Sequence, residues 1–344
     1  MDSLLTNIAD IKFMIENDKT ERYGNNMYIN EMREGQRISQ VFLCKNKTVA
    51  TTKAGKTYYS LQLQDKTGML DGKVWDLNSG IDHFDSMDFI QVDGDVTVFA
   101  SSLQLNIRRI RRAREGEYVV GDYFPVSSKN IEDMYKELMA LADKIKHEKL
   151  RQLVNSFFVE DADFIKRFKN HSAAKSVHHG FIGGLLEHTL AVTKLCYFYC
   201  SLYPALNRDL LLAAAMFHDI GKLEELSPFP TNDYTDDGQL LGHIVIGCEM
   251  VGARIRTIPG FPAKTAAELR HCILAHHGEF EYGSPKKPAL IEALALNFAD
   301  NTDAKLEVMI EALGSDVNGE WMGFNRFLDS NIRRTTPLDG STGI

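Results

Sequence analysis

Eight of the chain's eleven histidines fall between positions 178 and 277, most of them inside apolar runs. GGLLEHTLAV carries His188, AAAMFHDIGK carries His218 and Asp219, and LLGHIVIG carries His243. CILAHHGEF carries His276 and His277, and ALALNFADN carries Asp300. One histidine in an apolar helix is an ordinary core residue, satisfied by a backbone carbonyl. Five separate segments, each placing His or Asp in an apolar face, are harder to explain that way. Buried imidazoles and carboxylates cost free energy unless they are paired or bind a metal, and a metal centre inside a helical bundle supplies the partner. The His218-Asp219 pair is the most specific motif. Adjacent side chains converge on an ion where a helix ends or kinks, and a carboxylate there can bridge two ions. Lys222 lies one turn beyond His218 if the helix continues, where its ammonium can meet a phosphate oxygen.

These residues need helices to hold them. From about 130 onward apolar residues recur at helical spacing through 130–158, 185–203, 209–220, 243–258, 263–277 and 288–312. Residues 35–115 read differently, as short runs rich in Val, Ile, Phe and Tyr broken by Gly, Asp, Asn or Lys. Lys66-Thr67-Gly68 is a natural hairpin turn. About five strands in this length suit a small Greek-key barrel of the OB type; a β-sandwich usually needs about seven. The expected organisation is an extension over 1–30, an OB-fold barrel over 31–115, a linker over 116–130, an all-α bundle over 131–330 and a flexible tail over 331–344.

With 344 residues the chain has room for two or three domains. No run reaches the ~18–20 apolar residues of a membrane helix, and the N-terminus lacks the basic n-region of a signal peptide. Five scattered cysteines read as reduced thiols of a cytoplasmic protein. A net charge of −8 argues against a general nucleic-acid coat, but local patches decide phosphate binding. Arg108, Arg109, Arg111, Arg112 and Arg114 cluster at the end of the last strand, and Lys45, Lys47, Lys53 and Lys56 fall near the first long loop. Phe42, Tyr58, Tyr59 and Trp75 are candidates to stack on bases. Strand alternation sends about half of these aromatics into the core, and Tyr58 and Tyr59 to opposite faces. The arginine run has a second reading, as a solvated edge that blunts strand pairing.

The order His188, His218-Asp219, Asp300 resembles the HD superfamily of metal-dependent phosphohydrolases, over roughly residues 170–310. That resemblance implies His188, His218, Asp219 and Asp300 as ligands. It implies His243 and His276 as the extra histidines of two-metal members, whose HD aspartate bridges the ions, and His277 as a ligand or a neighbour. With the barrel in front, SVHHGFIGGLLEHTL, AMFHDIGK and AHHGEFEYGSPKKP together look like the YhaM-type 3′-5′ exoribonucleases, over roughly residues 35–325. The stretch Asn301-Thr302 departs from that pattern.

The resemblance implies a metal-dependent 3′-5′ exonuclease acting on single-stranded RNA, with single-stranded DNA as a further substrate. Asp219 and Lys222 are the expected catalytic residues. His178, His179, Lys222, Arg109, Arg111, Arg112, Tyr58 and Trp75 are expected to contact substrate. A mixed imidazole and carboxylate set suits Mn, Fe, Co, Ni or Zn better than Mg. Two ions per chain are expected, with manganese favoured on chemistry and resemblance together. The alternatives are an HD hydrolase of small nucleotides or cyclic dinucleotides with a regulatory barrel, and a binding protein whose HD domain is structural. No membrane partner is implied; a homo-oligomer is compatible with the sequence.

Overall fold

The computed structural model describes residues 27–52, 54–77, 80–100, 102–124, 126–175, 180–314 and 320–336. The chain divides into two compact units, Met1–Val126 and Ser127–Ile344.

The first unit is a closed five-stranded barrel: β1 (Arg37–Thr51), β2 (Thr57–Asp65), β3 (Gly68–Val74), β4 (Phe89–Phe99) and β5 (Ser102–Arg112). The spatial order is β1-β2-β3-β5-β4, closed by antiparallel β1–β4 pairing, with β3 and β5 parallel. This is the OB topology. Leu61, Leu63, Leu70, Ile90, Val92 and Leu105 alternate into the interior and are almost fully buried. The Lys66-Thr67 turn forms as expected: Asp65 pairs with Gly68, and the Asp65 carboxylate accepts from the Thr67 amide and hydroxyl. Gly94 lies at the β4–β5 register shift, where a Cβ would come within 2.6 Å of the Asn106 carbonyl oxygen.

Three expectations for the barrel change. Phe42 is fully buried and is core, not a stacking platform. Strand β1 runs on to Thr51, so Lys45 and Lys47 lie in the strand instead of a loop, and Lys47 donates to the Phe84 carbonyl at 2.6 Å. Of the stretch read as a linker, Tyr118 stacks on Phe89 and Tyr123 meets it edge-on, while Phe124 is buried.

The second unit is helical: α1 (Ile131–Ala142), α2 (Glu148–Phe158), α3 (Ala162–Asn170), α4 (Gly184–Leu202), α5 (Arg208–Phe217), α6 (Lys222–Glu225), α7 (Asp236–Leu240), α8 (Gly242–Arg256), α9 (Ala263–Ala275) and α10 (Ile291–Gly314). Asn130, His147, Asp161, Asn207 and Thr235 cap five of the helix N-termini with side-chain acceptors. Helix α5 is the central element, with every residue from Leu210 to Phe217 buried. The tail expected to be flexible begins instead with a strand. β6 (Trp321–Asn325) and β7 (Ser330–Arg333) form an antiparallel hairpin, anchored by buried Ile332. No helix among the described residues is long and apolar enough to cross a membrane.

Candidate metal centre

Helix α5 stops at Phe217, and His218 is its C-cap. The chain then turns through Asp219, Ile220 and Gly221 before α6 starts at Lys222. The turn is pressed against α8 so closely that a Cβ on Gly221 would lie 2.0 Å from the His243 carbonyl oxygen. Only glycine allows that approach, which brings the HD pair and His243 together. The other ligand candidates arrive from α4 (His188), the end of α9 (His276, His277) and α10 (Asp300).

The Asp219 carboxylate lies at the middle. Its Oδ2 is 3.3 Å from His188 Nε2 and 3.4 Å from His218 Nε2. Its Oδ1 is 3.4 Å from His243 Nε2 and 3.7 Å from His276 Nε2. Asp300 Oδ1 closes the first group, 3.2 Å from His188 Nε2. The side chains thus form two metal-sized clusters, His188-His218-Asp300 and His243-His276-His277, within each of which the ligand atoms lie within 4.8 Å of one another.

Five imidazoles share one device. His218, His276 and His277 place Nδ1 at 2.7, 2.7 and 2.8 Å from the carbonyls of Ala215, Ile273 and Tyr282. A carbonyl only accepts, so Nδ1 carries the hydrogen and the Nε2 lone pair points inward. His188 Nδ1 meets Asp303 at 2.7 Å, and His243 Nδ1 meets Glu225 at 2.9 Å. Such outer partners set the tautomer and raise ligand basicity.

The arrangement fits cations. His188 Nε2 and His218 Nε2 face each other at 3.1 Å, a contact that is repulsive between two lone pairs and is relieved by a proton on His188 or by a metal cation. Asp219 Oδ1, His243 Nε2 and His276 Nε2 are buried without hydrogen-bond partners among the described residues. Unsatisfied groups of this kind are costly, and a cation satisfies all three.

Electrostatics follow the same division. Burial disfavours the charged form of His188, but Asp219, Asp300 and Asp303 outweigh it and hold the imidazole well above the ordinary histidine range. Burial, with His277 and His218 nearby, pushes His276 well below that range, and burial with His243 lowers His277. Asp219 and Asp300 stay ionised despite burial, Asp219 chiefly through Lys222 and His218, and Asp300 through His188.

Lys222 does not continue helix α5. Its Nζ lies 2.6 Å from buried Asp219 Oδ2, and Lys222 lines a cleft of about 740 Å³ with His188, Asp300 and His277 in its wall. His178 and His179 lie outside the described residues. On the barrel, Tyr58 and Trp75 stack on each other with centroids 4.6 Å apart, so they form one composite face. Tyr59 turns inward against Phe84. The arginine cluster is largely neutralised: Arg108 pairs with Asp95, Arg111 with Glu117 and Arg112 with Asp88. Arg109 is exposed.

Sequence reasoning missed Asp303, Glu225 and Asn297. Asp303 follows Asp300 by three residues, the spacing that puts both on one helix face. Asn297 Nδ2 donates to the His276 carbonyl at 2.7 Å and holds the turn after α9. Gly278 in that turn has φ +82°, and a Cβ there would lie 2.6 Å from Asn297 Nδ2.

The HD domain family model matches residues 185–305. A 3′-5′ exoribonuclease YhaM from Geobacillus sp. (strain WCH70) is 34% identical over 291 residues, 83% of this chain and 88% of that protein. The chain belongs to the YhaM family of 3′-5′ exoribonucleases. Among solved structures, the second OB-fold domain of replication protein A from Methanococcus maripaludis is 24% identical, with a TM-score of 0.21, over 26% of this chain and 97% of that domain. The p204 HINb domain is 16% identical, with a TM-score of 0.22, over 26% of this chain and 47% of that one, so the chain spans about half of its length.

Proposed function

We propose that the chain removes nucleotides stepwise from the 3′ end of single-stranded RNA, and of single-stranded DNA, at a centre of two divalent ions. The observation that carries this reading is Asp219, whose two oxygens face two separate histidine clusters. His188, His218 and Asp300 would hold one ion, His243, His276 and His277 the other, and Asp219 would bridge them. When bound, such a pair supplies activated water and neutralises charge on the phosphodiester. The mixed imidazole and carboxylate set suits Mn, Fe, Co, Ni or Zn better than Mg, and manganese is favoured among them on chemistry and family resemblance together.

The protein's own groups have distinct tasks. Asp303 and Glu225 orient His188 and His243. Lys222 neutralises Asp219 and lines the cleft, where it meets a non-bridging phosphate oxygen. On the barrel, the Tyr58–Trp75 face and Arg109 hold the strand by stacking and phosphate contact. Five free thiols suit a reducing cytoplasm.

The 3′ polarity follows the relatives, and labelled substrates test it. With Mn²⁺, a 5′-labelled linear strand should give a descending ladder while a circular strand stays intact. Rapid cleavage of the circle would refute trimming from an end.

A further inference from the structure

The β6–β7 hairpin contributes nothing to the ion centre, yet its tip walls the cleft. In register, Trp321 opposes Arg333 and Phe324 opposes Asn331, with Gly323 opposite Ile332. Directly opposed residues share a face, and Asn331 and Arg333, two apart, share one as well. Trp321 and Phe324 therefore lie on a common face although they are three residues apart. The register shift between Trp321 and Gly323 makes this possible. Gly323 has φ +85°, the left-handed conformation such a bulge needs. Ile332 is buried on the opposite face, and the outer face carries Trp321 and Phe324, 60% and 59% exposed. The Arg333 guanidinium lies 5.8 Å from the Trp321 ring centroid.

The tip is fixed in place. Asn325 Oδ1 accepts from the amides of Phe327 and Leu328 at 2.9 and 3.0 Å, and Asp329 takes φ +48°. Phe327, still 56% exposed, is thereby held in the wall of the cleft that contains Asp300, His277 and Lys222. Single exposed aromatics are ordinary on a surface. Three of them ordered along one short hairpin, interleaved with Arg326 and Arg333 and ending beside the ion centre, form the stacking and cationic pattern that single-stranded nucleic acid requires.

We propose that the β6–β7 hairpin is a base-stacking platform for the end of the single strand. Bases stack on Trp321, Phe324 and Phe327, exposed Arg326 meets a phosphate, Arg333, paired with Glu320 at 3.2 Å, supports the Trp321 ring, and the terminal diester is delivered to the ion centre. This rests on the nuclease reading for its substrate class. Paired bases cannot stack on side chains in this way, so the platform also selects against duplex ends.

Binding tests the platform apart from turnover. The probe is a 5′-fluorescein oligouridylate, titrated by anisotropy into the full chain in EDTA. Phe324→Leu and Phe327→Leu keep apolar bulk but remove the ring. Each should weaken binding about tenfold, or about 1.4 kcal/mol, while Phe327→Tyr should bind like the unaltered chain. The proposal is overturned if both leucine variants bind within twofold of the unaltered chain, or if Phe327→Tyr is as weak as Phe327→Leu. Turnover of the same strand with Mn²⁺ judges the nuclease reading separately: no ladder from the unaltered chain would refute that reading, while the anisotropy still decides the platform.

Discussion

Removing the Asp303 carboxylate tests whether the outer hydrogen bonds build the ion centre. Asp303 Oδ2 lies 2.7 Å from His188 Nδ1, and both side chains are buried. In Asp303→Ala the imidazole loses the group that fixes its orientation and tautomer, and the Nε2 lone pair is no longer aimed at the centre. Outer partners of this kind are worth about 10–100-fold in metal affinity or activity, equivalent to about 1.4–2.7 kcal/mol. Asp303→Asn keeps an acceptor at the same place but no charge, so its loss should fall near the lower end. The assay is Mn²⁺ titration against a chelating dye, with kcat measured at saturating metal and thermal unfolding in EDTA as a folding control. Metal affinity within twofold of the unaltered chain in both variants, with turnover intact, would refute the role assigned to Asp303.

Other consequences follow from the same geometry. Gly221→Ala should drive a Cβ into the His243 carbonyl, destabilising the second unit by about 2–3 kcal/mol and lowering its Tm by roughly 4–10 °C; an unchanged Tm would contradict the close approach. Burial holds His171, His271, His276 and His277 below the ordinary histidine range, so below about pH 6.5 the unfolded chain binds more protons than the folded one at these four sites. His188 acts in the opposite sense, stabilising below about pH 6.5 and losing that contribution as pH rises through its raised folded value. Four groups outweigh one, and the Tm of the metal-free chain should fall from pH 7 to pH 5; a flat or rising Tm would contradict this. On the barrel, Arg109→Ala should flatten the log–log salt dependence of single-strand binding by about 0.7. Arg111→Ala and Arg112→Ala should flatten it less, because Glu117 and Asp88 already occupy those guanidinium groups; equal slopes for all three would show that the pairs open on binding.

Much of this was legible in the sequence because the informative residues are costly to bury. His188, His218, Asp219 and Asp300 stand out as polar groups in apolar runs, and the helices that carry them keep a clear period. The strands of the barrel were legible from alternation and from the Lys66-Thr67 turn. Asp303 and Glu225 were not, because an acid on a helix looks the same whether it faces water or an imidazole. The acid partners of the arginine cluster were hidden for a related reason. Asp88, Asp95 and Glu117 lie 6 to 24 positions away and are brought alongside by strand register or a following turn. The β6–β7 hairpin was hidden because its bulge breaks the period-two pattern at Gly323.

The claim that Asp219 bridges two ions which perform the cleavage is tested most directly by counting metal. Elemental analysis of the purified chain after loading with Mn²⁺ should find two equivalents, and Asp219→Ala should lose most of both together with turnover. Losing His277 alone should cost less, because one terminal ligand serves one ion. An Asp219→Ala chain that keeps its full metal content and its turnover would contradict the account.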